Sequence, residues 1–481
     1  MKLYHIKFFS ILLSLLAFSS CKTEKRKVNE DSSNFSIGFA KVNYTPRVGL
    51  AMVGNYRGDD YASRGVHDSL YAKAIVAVGT NNIKTAILSV DICLISSNTV
   101  KVLRKYVEDH SDIKGDNIMI HATHTHSGPP SELNEPEAKN YMRKAADAVI
   151  LANKNLKRSK LMVGRTNEDR VSHNRRLEAV DGTTHMVWEK FEPNFIKKPL
   201  GSIDPEMITV SIVQEGKTVA SIVNFGCHAT TLTGNNWLYT ADYPGYMTES
   251  VQKARGKDFG VLFLNAPSGN VTQVDYKVGF IDTFQECQRI GYILGANVLE
   301  GMRKSKEIIT SNETVAVSKE MVPLKKIAIS EEQYKWANEV LEKVKREGMP
   351  PIQADGIPDA EYAQRWVEMY KIQNKVDSLE VMVTRIGELA IVALPGEIFQ
   401  EFGKDIKLNS PFKNTLVVGL TNGEAGYFPT KVSFTQGPKG GFKPYATGYE
   451  TTPGTTSYEI GAGEKLAESA IKQLKKLHDK L

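Results

Sequence analysis

Short apolar segments recur along this chain of 481 residues, and several of them stop abruptly at a histidine, a carboxylate or a polar loop. Two such segments lie at 71–78 and 85–90, and amphipathic patterns with helical spacing follow at 97–110 and 135–153. Strand-like segments that alternate with helical ones are typical of a layered α/β domain. The sequence therefore predicts an α/β fold in which a layered mixed sheet is flanked by helices.

The densest cluster of reactive side chains lies in the segment 117–130. Residues 118–120 are apolar and predict a buried strand, which leads into His124 and His126 before a Gly-Pro turn. In an extended chain, residues two apart share a face, so we expect the two imidazole rings to point the same way. Two converging imidazoles suit Zn²⁺, although a His-x-His pair on its own is more often a structural feature of a strand end.

Three later apolar segments end in the same manner. The segments and the side chains that follow them are 219–225 with His228, 389–394 with Glu397 and 416–420 with Tyr427. Ligands of layered α/β proteins bind outside the carboxyl ends of the strands, and two histidines with one carboxylate form a catalytic zinc set with an open position. We therefore predict that His124, His228 and Glu397 hold Zn²⁺, while Mn²⁺ or Fe²⁺ also suit this set. Tyr427 is expected to be either a fourth ligand or a hydrogen-bond donor to an oxyanion, and His126 a supporting group or proton carrier.

Arginine side chains supply candidates for binding an anionic group. Arg175 and Arg176 lie in the polar segment 170–176, and Arg57 is a weaker candidate in the segment 54–58. A guanidinium group can bind a carboxylate or a sulfate through two hydrogen bonds, but salt bridges at the protein surface explain the pair equally well. The net charge of +6 favours an anionic ligand, and the lack of a basic run argues against nucleic acid as a partner.

The first 34 residues predict an export signal and a tether, and not a part of the folded domain. Residues 1–20 resemble a secretory signal peptide, in which two early lysines precede an apolar stretch. Ser-Ser-Cys at 19–21 resembles a bacterial lipoprotein processing site, so we expect Cys21 to carry lipid and residues 21–34 to form a flexible tether. The protein would then be anchored to a membrane in the periplasm or at the cell surface. A plain secretory signal or a short membrane segment is the alternative.

Two later segments predict features outside the sheet. Ser330 and Gln333 form a capping box that begins an amphipathic helix, and a second helix is expected from about 359 to 376. We interpret the two as a helical hairpin inserted at about 330–376. The glycine-rich segment 437–448 is long enough to form a mobile rim or lid.

Four short motifs resemble those of one enzyme family, the neutral (non-lysosomal) ceramidases. In chain order they are Thr123-His-Thr-His-Ser-Gly-Pro129, Cys227-His-Ala-Thr230, Pro395-Gly-Glu397 and Ala425-Gly-Tyr-Phe-Pro-Thr430. The resemblance covers roughly residues 35–475 and implies the fold of the family's N-terminal catalytic domain, so we expect a single catalytic domain at 35–481. It also matches His124, His228, Glu397 and Tyr427 to the zinc ligands of that family.

One motif departs from the family pattern. Ceramidases carry Gly-Asp-Val-Ser-Pro-Asn, whose serine is essential to amide cleavage, whereas residues 269–273 read Gly-Asn-Val-Thr-Gln. By this match Thr272 takes the catalytic position of the serine, and Asn270 takes the place of the aspartate as a substrate-binding candidate. A threonine hydroxyl is bulkier and stiffer, which argues against amide hydrolysis. The chain resembles in particular a diverged branch that contains an oligosaccharide dehydratase of ulvan degradation.

These observations together predict a metal-dependent hydro-lyase. It would remove water from an acidic, unsaturated uronic oligosaccharide during extracellular polysaccharide degradation. The metal would stabilise the charge that builds up on the sugar, His126 or Tyr427 would move the proton, and Arg175 would anchor the anionic group. Two alternatives remain open: a ceramidase-like zinc amidohydrolase assisted by Thr272, and a non-catalytic lipoprotein that binds sugar.

Overall fold

Three mixed β-sheets form the framework of the computed structural model, which describes residues 35–58, 60–134, 136–192, 194–308, 313–349, 357–437 and 447–479. The predicted signal peptide, the tether with Cys21 and most of the glycine-rich segment 437–448 lie outside these residues. Within the described ranges, none of the helices combines the length and the apolar character that crossing a membrane requires.

Each of the three large sheets contains one parallel pair of strands, and its other pairs are antiparallel. In spatial order the first sheet contains Ile118–Ala122, Lys84–Val90, Tyr71–Val78, Ser36–Asn43 and Lys157–Arg158. The second contains Gly260–Asn265, Lys217–Phe225, Glu206–Gln214, Lys160–Asn167 and Lys306–Glu307. The third contains Val315–Lys325, Val376–Ile386, Leu389–Ala393 and Asn414–Val418. The parallel pairs are the first two strands of the first and second sheets and the last two of the third.

Smaller strand pairs connect the loops between these sheets. They are Val53–Gly54 with Ser127–Gly128, Gly65–Val66 with Leu238–Tyr239, His173–Asn174 with Val271–Thr272, and Glu397–Ile398 with Tyr427–Phe428. Arg176–Ala179 forms a small three-stranded sheet with Thr184–Met186 and Ile196–Pro199. These pairs fix loop residues that would otherwise have few backbone hydrogen bonds.

Helices cover the outer faces of the sheets. In chain order they are α1 Ser97–His110, α2 Pro136–Lys154, α3 Asp242–Arg255, α4 Phe284–Lys304, α5 Glu331–Glu347, α6 Asp359–Ile372, α7 Gln400–Asn409 and α8 Ala462–His478. Helices α1 and α2 share an apolar cluster with the first sheet, α3 and α4 with the second, and α7 and α8 with the third. The predicted α/β class, with mixed sheets and flanking helices, is therefore confirmed.

One apolar core joins the three sheets. Ile37 and Ile87 of the first sheet, Val210 of the second, and Ile391 and Leu416 of the third are fully buried in it. Aliphatic and β-branched residues suit strands that are buried on both faces, which is why these segments read as nearly continuous apolar runs. A shared core holds the three sheets in fixed positions, so their strand ends can meet at one place.

Three helices and one boundary differ from the sequence expectation. Helices α3, α4 and α7 were not predicted: Pro244 and Gly245 lie in the first turn of α3, three glycines interrupt the apolar pattern of α4, and α7 has only ten residues. The capping box of Ser330 and Gln333 does begin α5. Helix α6, however, ends at Ile372, and the segment from Val376 is a strand that pairs with Val315–Lys325. The predicted helix end at about residue 376 was therefore wrong.

A glycine–glycine contact lets α4 approach the second sheet closely. A Cβ atom added to Gly164 would lie 1.8 Å from the carbonyl oxygen of Gly301, and this backbone atom cannot rotate away. We therefore expect Gly164→Ala to lower the free energy of unfolding by about 3 kcal/mol through overpacking. Urea denaturation measures the change. Gly115→Ala is the control, because its Cβ would lie at an ordinary 3.4 Å from Arg104. Equal stability of the two variants would contradict the expectation.

Candidate metal centre

The candidate ligands stand at the carboxyl ends of strands from all three large sheets. His124 follows the strand Ile118–Ala122, and His228 follows the strand Lys217–Phe225. Glu397 follows Leu389–Ala393 and is paired in parallel with Tyr427, which follows Asn414–Val418. Sequence analysis placed these four residues at strand ends, and the structure brings their segments together.

Three ligand atoms converge on one buried point. The Nε2 atom of His124 lies 3.3 Å from Oε2 of Glu397, and the Nε2 atom of His228 lies 3.0 Å from the same oxygen. The candidate ligand atoms of these three residues all lie within 4.8 Å of one another, and the residues are buried. A carboxylate and two imidazoles at these separations have the arrangement of a metal-binding group.

Backbone carbonyl groups orient both histidine rings. The Nδ1 of His124 donates to the carbonyl of Cys93 at 2.9 Å, and the Nδ1 of His228 faces the carbonyls of Ser268 and Val271, each at 2.9 Å. These hydrogen bonds place a proton on Nδ1 of each ring and direct both Nε2 atoms towards the centre. Metal-binding histidines are usually held in this way.

The charges of the group also suit a cation. Burial opposes ionisation of Glu397, but His124 holds the pKa of this carboxyl well below its ordinary value. Burial and then Arg175 lower the pKa of His228 to about 4, so its ring is neutral near pH 7. Burial opposes protonation of His124, but Glu397 raises the pKa of this ring well above its ordinary value, so a bound cation would replace a proton on His124. An ionised carboxylate and a neutral imidazole are the forms that bind metal. The residues present therefore fit a divalent ion.

A second possible metal-binding group consists of His124, Cys93 and His126. The Cys93 sulfur lies 3.9 Å from Nδ1 of His124, on the side of the ring that faces the backbone. Burial raises the pKa of the Cys93 thiol, which therefore stays protonated. The group that contains Glu397 is consequently the better candidate.

His126 reaches the centre, but not for the reason that the sequence suggested. The strand ends at Ala122, and His124 has a left-handed backbone with φ of 70°, so the expected extended geometry is wrong. The two Nε2 atoms nevertheless lie 3.3 Å apart. Nδ1 of His126 faces Oδ1 of Asn55 at 3.2 Å, and Gly54 lies against the imidazole, where a Cβ would come within 2.4 Å.

Arg57 holds the backbone of His126 and does not face the position of a ligand. Its guanidinium donates to the backbone carbonyls of His126 at 2.9 Å, Asn236 at 3.3 Å and Asn55 at 3.3 Å. The side chain is buried by these contacts. The structure therefore gives Arg57 a positioning role in place of the predicted substrate-binding one.

The two adjacent arginines have different environments. Arg175 donates to Glu450 at 2.7 Å, its Nη1 lies 3.0 Å from Nε2 of His228, and its Nη2 has no hydrogen-bond partner among the described residues. Arg176 also binds Glu450, at 2.7 Å, and its Nη2 donates to Ser433, Gln436 and Thr447. Arg175 thus faces the centre, whereas Arg176 is enclosed by protein groups and cannot clamp a ligand as predicted.

Thr272 and Asn270 also lie in different environments. Thr272 lines a cavity with Arg175, His228 and Tyr427, and its hydroxyl donates to Oε1 of Gln273 at 2.9 Å. Asn270 is buried in a loop and bonds to the elements around it, accepting from the amide of Gln400 at 3.0 Å and donating to Glu401 at 2.9 Å. Its side chain braces the loop instead of contacting substrate.

Several residues of the site were missed by sequence analysis. Glu450, which is fully buried between two arginines, and Asn55 belong to irregular segments with no periodic pattern. Tyr449 packs edge-on against Tyr427 with ring centroids 5.5 Å apart. The only sequence signal for these residues was their proximity to glycine-rich stretches.

The family model described as neutral/alkaline non-lysosomal ceramidase, N-terminal, matches residues 35–289. The chain belongs to this family. Among curated relatives, neutral ceramidase A of Dictyostelium discoideum is 25% identical over 245 residues, which is 46% of this chain and 32% of that protein. The neutral ceramidase of Pseudomonas aeruginosa is 23% identical over 308 residues, which is 59% of this chain and 44% of that protein. The chain therefore spans less than half the length of either relative.

A solved structure shows the same fold. The crystal structure of neutral ceramidase from Pseudomonas aeruginosa matches with a TM-score of 0.70 and 19% identity, covering 94% of this chain and 75% of that one. At this identity the match establishes the fold and not the reaction.

The predicted hydro-lyase is wrong. The family and the similar proteins named above are ceramidases, which are hydrolases, and no comparison supports the ulvan dehydratase branch, a role in polysaccharide degradation or an unsaturated uronic substrate. The prediction gave too much weight to Thr272, which keeps a hydroxyl in the cavity. The family favours the amidohydrolase alternative.

Metal content provides a test of the ligand set. We expect about one divalent ion per chain in the purified protein, and we expect Glu397→Gln and His228→Ala to lose most of it, since each removes one of three ligands. Elemental analysis by mass spectrometry measures the content. Cys93→Ser is the control and should keep its metal. Loss of metal from this control, with retention in Glu397→Gln, would show that the other group binds the ion.

Proposed function

We propose that the protein is a zinc-dependent amidohydrolase that cleaves the amide bond of an N-acyl compound. The observation that carries the proposal is the convergence of His124, His228 and Glu397 on one buried point in a chain of the ceramidase family. Two histidine nitrogens and one carboxylate favour Zn²⁺ and leave a position open. A bound Zn²⁺ would supply polarisation of the amide carbonyl and a lower pKa for water at the centre.

His126 is suited to carry the proton. Asn55 engages Nδ1, so Nε2 is the atom that faces the centre, 3.3 Å from Nε2 of His124. From there it would accept a proton from the attacking water and deliver it to the departing amine nitrogen. Arg57 holds the backbone carbonyl of His126 and so preserves this position.

Arg175 and Tyr427 are suited to stabilise the carbonyl oxygen as it gains charge. Nη2 of Arg175 is buried at the centre without a partner among the described residues, which leaves N–H donors for a ligand. The Tyr427 hydroxyl donates to Glu397 and lies beside Arg175, and once a cation occupies the carboxylate this O–H would be available to donate to the same oxygen. Fixed donors in a buried site stabilise an oxyanion strongly.

Thr272 would orient the amide. Its hydroxyl hydrogen is directed to Gln273, whose own amide group donates to the carbonyl of Thr230 at 2.6 Å. The hydroxyl oxygen can therefore accept a hydrogen bond from the N–H group of the substrate. Such orientation contributes to the rate by holding the reacting groups in place.

Amine release from short N-acyl amides tests the reaction. We expect the metal-loaded protein to release the amine from N-hexanoyl amides or a short-chain ceramide, and we expect a chelator to abolish the release until Zn²⁺ is restored. His124→Ala should lower kcat/KM by roughly a hundredfold or more, because it removes a ligand. His110→Ala, at an exposed histidine at the end of α1, is the control. The proposal fails if the metal-loaded protein releases no amine from any of these amides.

We also propose that the protein is exported and anchored to a membrane by lipid on Cys21. The support is the sequence pattern of residues 1–21.

Cell fractionation tests the anchor. We expect the wild-type protein to sediment with membranes and Cys21→Ser to appear in the soluble fraction or to remain unprocessed, because the acylated residue is lost. Ser33→Ala, in the predicted tether, should leave the distribution unchanged. Membrane association of Cys21→Ser equal to that of the wild type would refute the lipid anchor.

A further inference from the structure

The larger cavity beside the candidate metal centre is polar. Its volume is about 860 Å³, and it extends from His124 and Glu397 to Arg365 of α6. Besides the residues of the centre, its wall carries two basic side chains, Lys326 and Arg365, and two acidic ones, Asp377 and Glu424. A cavity that binds one of the two apolar chains of a ceramide would not be expected to carry these charged side chains.

Two of the charges neutralise each other. Nζ of Lys326 lies 2.6 Å from Oδ2 of Asp377, to which the Tyr458 hydroxyl donates at 3.0 Å, and the ammonium also lies over the Tyr458 ring. The third charged residue, Glu424, lies near Glu132. Burial, and to a lesser extent this neighbouring carboxylate, raises the pKa of the Glu424 carboxyl. None of these three groups therefore offers a free positive charge.

Arg365 differs from them. It is half-buried on α6, and within the described parts of the chain it makes no hydrogen bond or ion pair. It lines the same cavity as Tyr427 and as Tyr449, whose ring packs edge-on against Tyr427. An unpaired guanidinium keeps its planar set of N–H donors, which match a carboxylate or a sulfate.

Neighbouring contacts hold Arg365 in this position. The indole nitrogen of Trp366 donates to the carbonyl of Pro453 at 2.7 Å, and the Trp366 side chain is fully buried against Trp336. Gly454 makes room for the arginine, because a Cβ there would lie 2.9 Å from Cβ of Arg365. The packing of α6 against the loop at 453–454 thus positions the aliphatic part of the Arg365 side chain.

A smaller cavity opens on the other side of His126 and Tyr427. Its volume is about 320 Å³, and Trp188, Phe280 and Ile357 supply its apolar wall. The two cavities share the metal centre, so an amide at the centre would direct one part into each. The smaller, apolar cavity is suited to a short acyl chain, and the larger one to a polar amine portion.

We propose that Arg365 binds an anionic group on the amine portion of the substrate. The preferred substrate class would then be N-acyl compounds with a short acyl chain and a carboxylate or sulfate, in place of ceramides with two apolar chains. The substrate class rests on the amidohydrolase function proposed above. Anion binding by Arg365 does not, because it is measurable without turnover.

Matched acids and alcohols test the substrate class. N-hexanoylglycine and N-hexanoyl-β-alanine are compared with the N-hexanoyl amino alcohols of the same length. We expect at least one acid to exceed its alcohol in kcat/KM by roughly tenfold or more. Arg365→Met should remove this preference by raising KM with little change in kcat, and Arg365→Lys should retain part of it. Lys371→Met, at an exposed position of the same helix, should behave as the wild type.

Calorimetric titration of the same compounds separates the two proposals. If no amide is hydrolysed, the amidohydrolase fails, but tighter binding of an acid than of its alcohol by the wild type and not by Arg365→Met still supports the anion site. Equal binding of acids and alcohols by the wild type overturns the inference. A preference that survives in Arg365→Met also overturns it, because the anion would then be bound elsewhere. Thermal unfolding of each variant confirms that the folded proteins are compared.

Discussion

The Glu397 carboxylate, enclosed between two imidazole rings, is the interaction on which the centre depends. Burial alone would neutralise this group, and His124 above all keeps it ionised. Backbone carbonyls hold the Nδ1 atoms of both rings and so keep the rings against the carboxylate. Displacing any one of the three loops would leave a charge buried without its partner, which is far more costly than losing a surface contact.

The arrangement of the sheets keeps these three loops in fixed positions. Each large sheet places a parallel strand pair beside the centre, and the common apolar core fixes the three sheets against one another. The loops that follow these strands are then joined by short pairs, such as Glu397–Ile398 with Tyr427–Phe428. Rigid strands thus carry the ligands, while the loops need only span short distances.

The sequence was most informative where apolar runs are long and end abruptly. This pattern located the strands before His124, His228, Glu397 and Tyr427, because burial on both faces demands continuous aliphatic residues. It could not separate Arg175 from Arg176, whose partners are set by tertiary contacts. It also gave no sign of Arg365 beside the centre, because the place of α6 depends on the packing of Trp366. The reaction was misjudged from the resemblance to one branch, the lipoprotein signal, the basic charge balance and the change to Thr272, although a change of side-chain shape does not remove the hydroxyl group.

The carboxylate of Glu450 has a consequence for how the site tolerates change. It is shared by Arg175, which faces the centre, and Arg176, whose guanidinium also holds Gln436 and Thr447. These last two residues accept hydrogen bonds from Arg176 and are thus tied, through it, to the same buried anion. A substitution that displaces Glu450 would therefore disturb the guanidinium beside the ligands and the anchoring of Gln436 and Thr447 together.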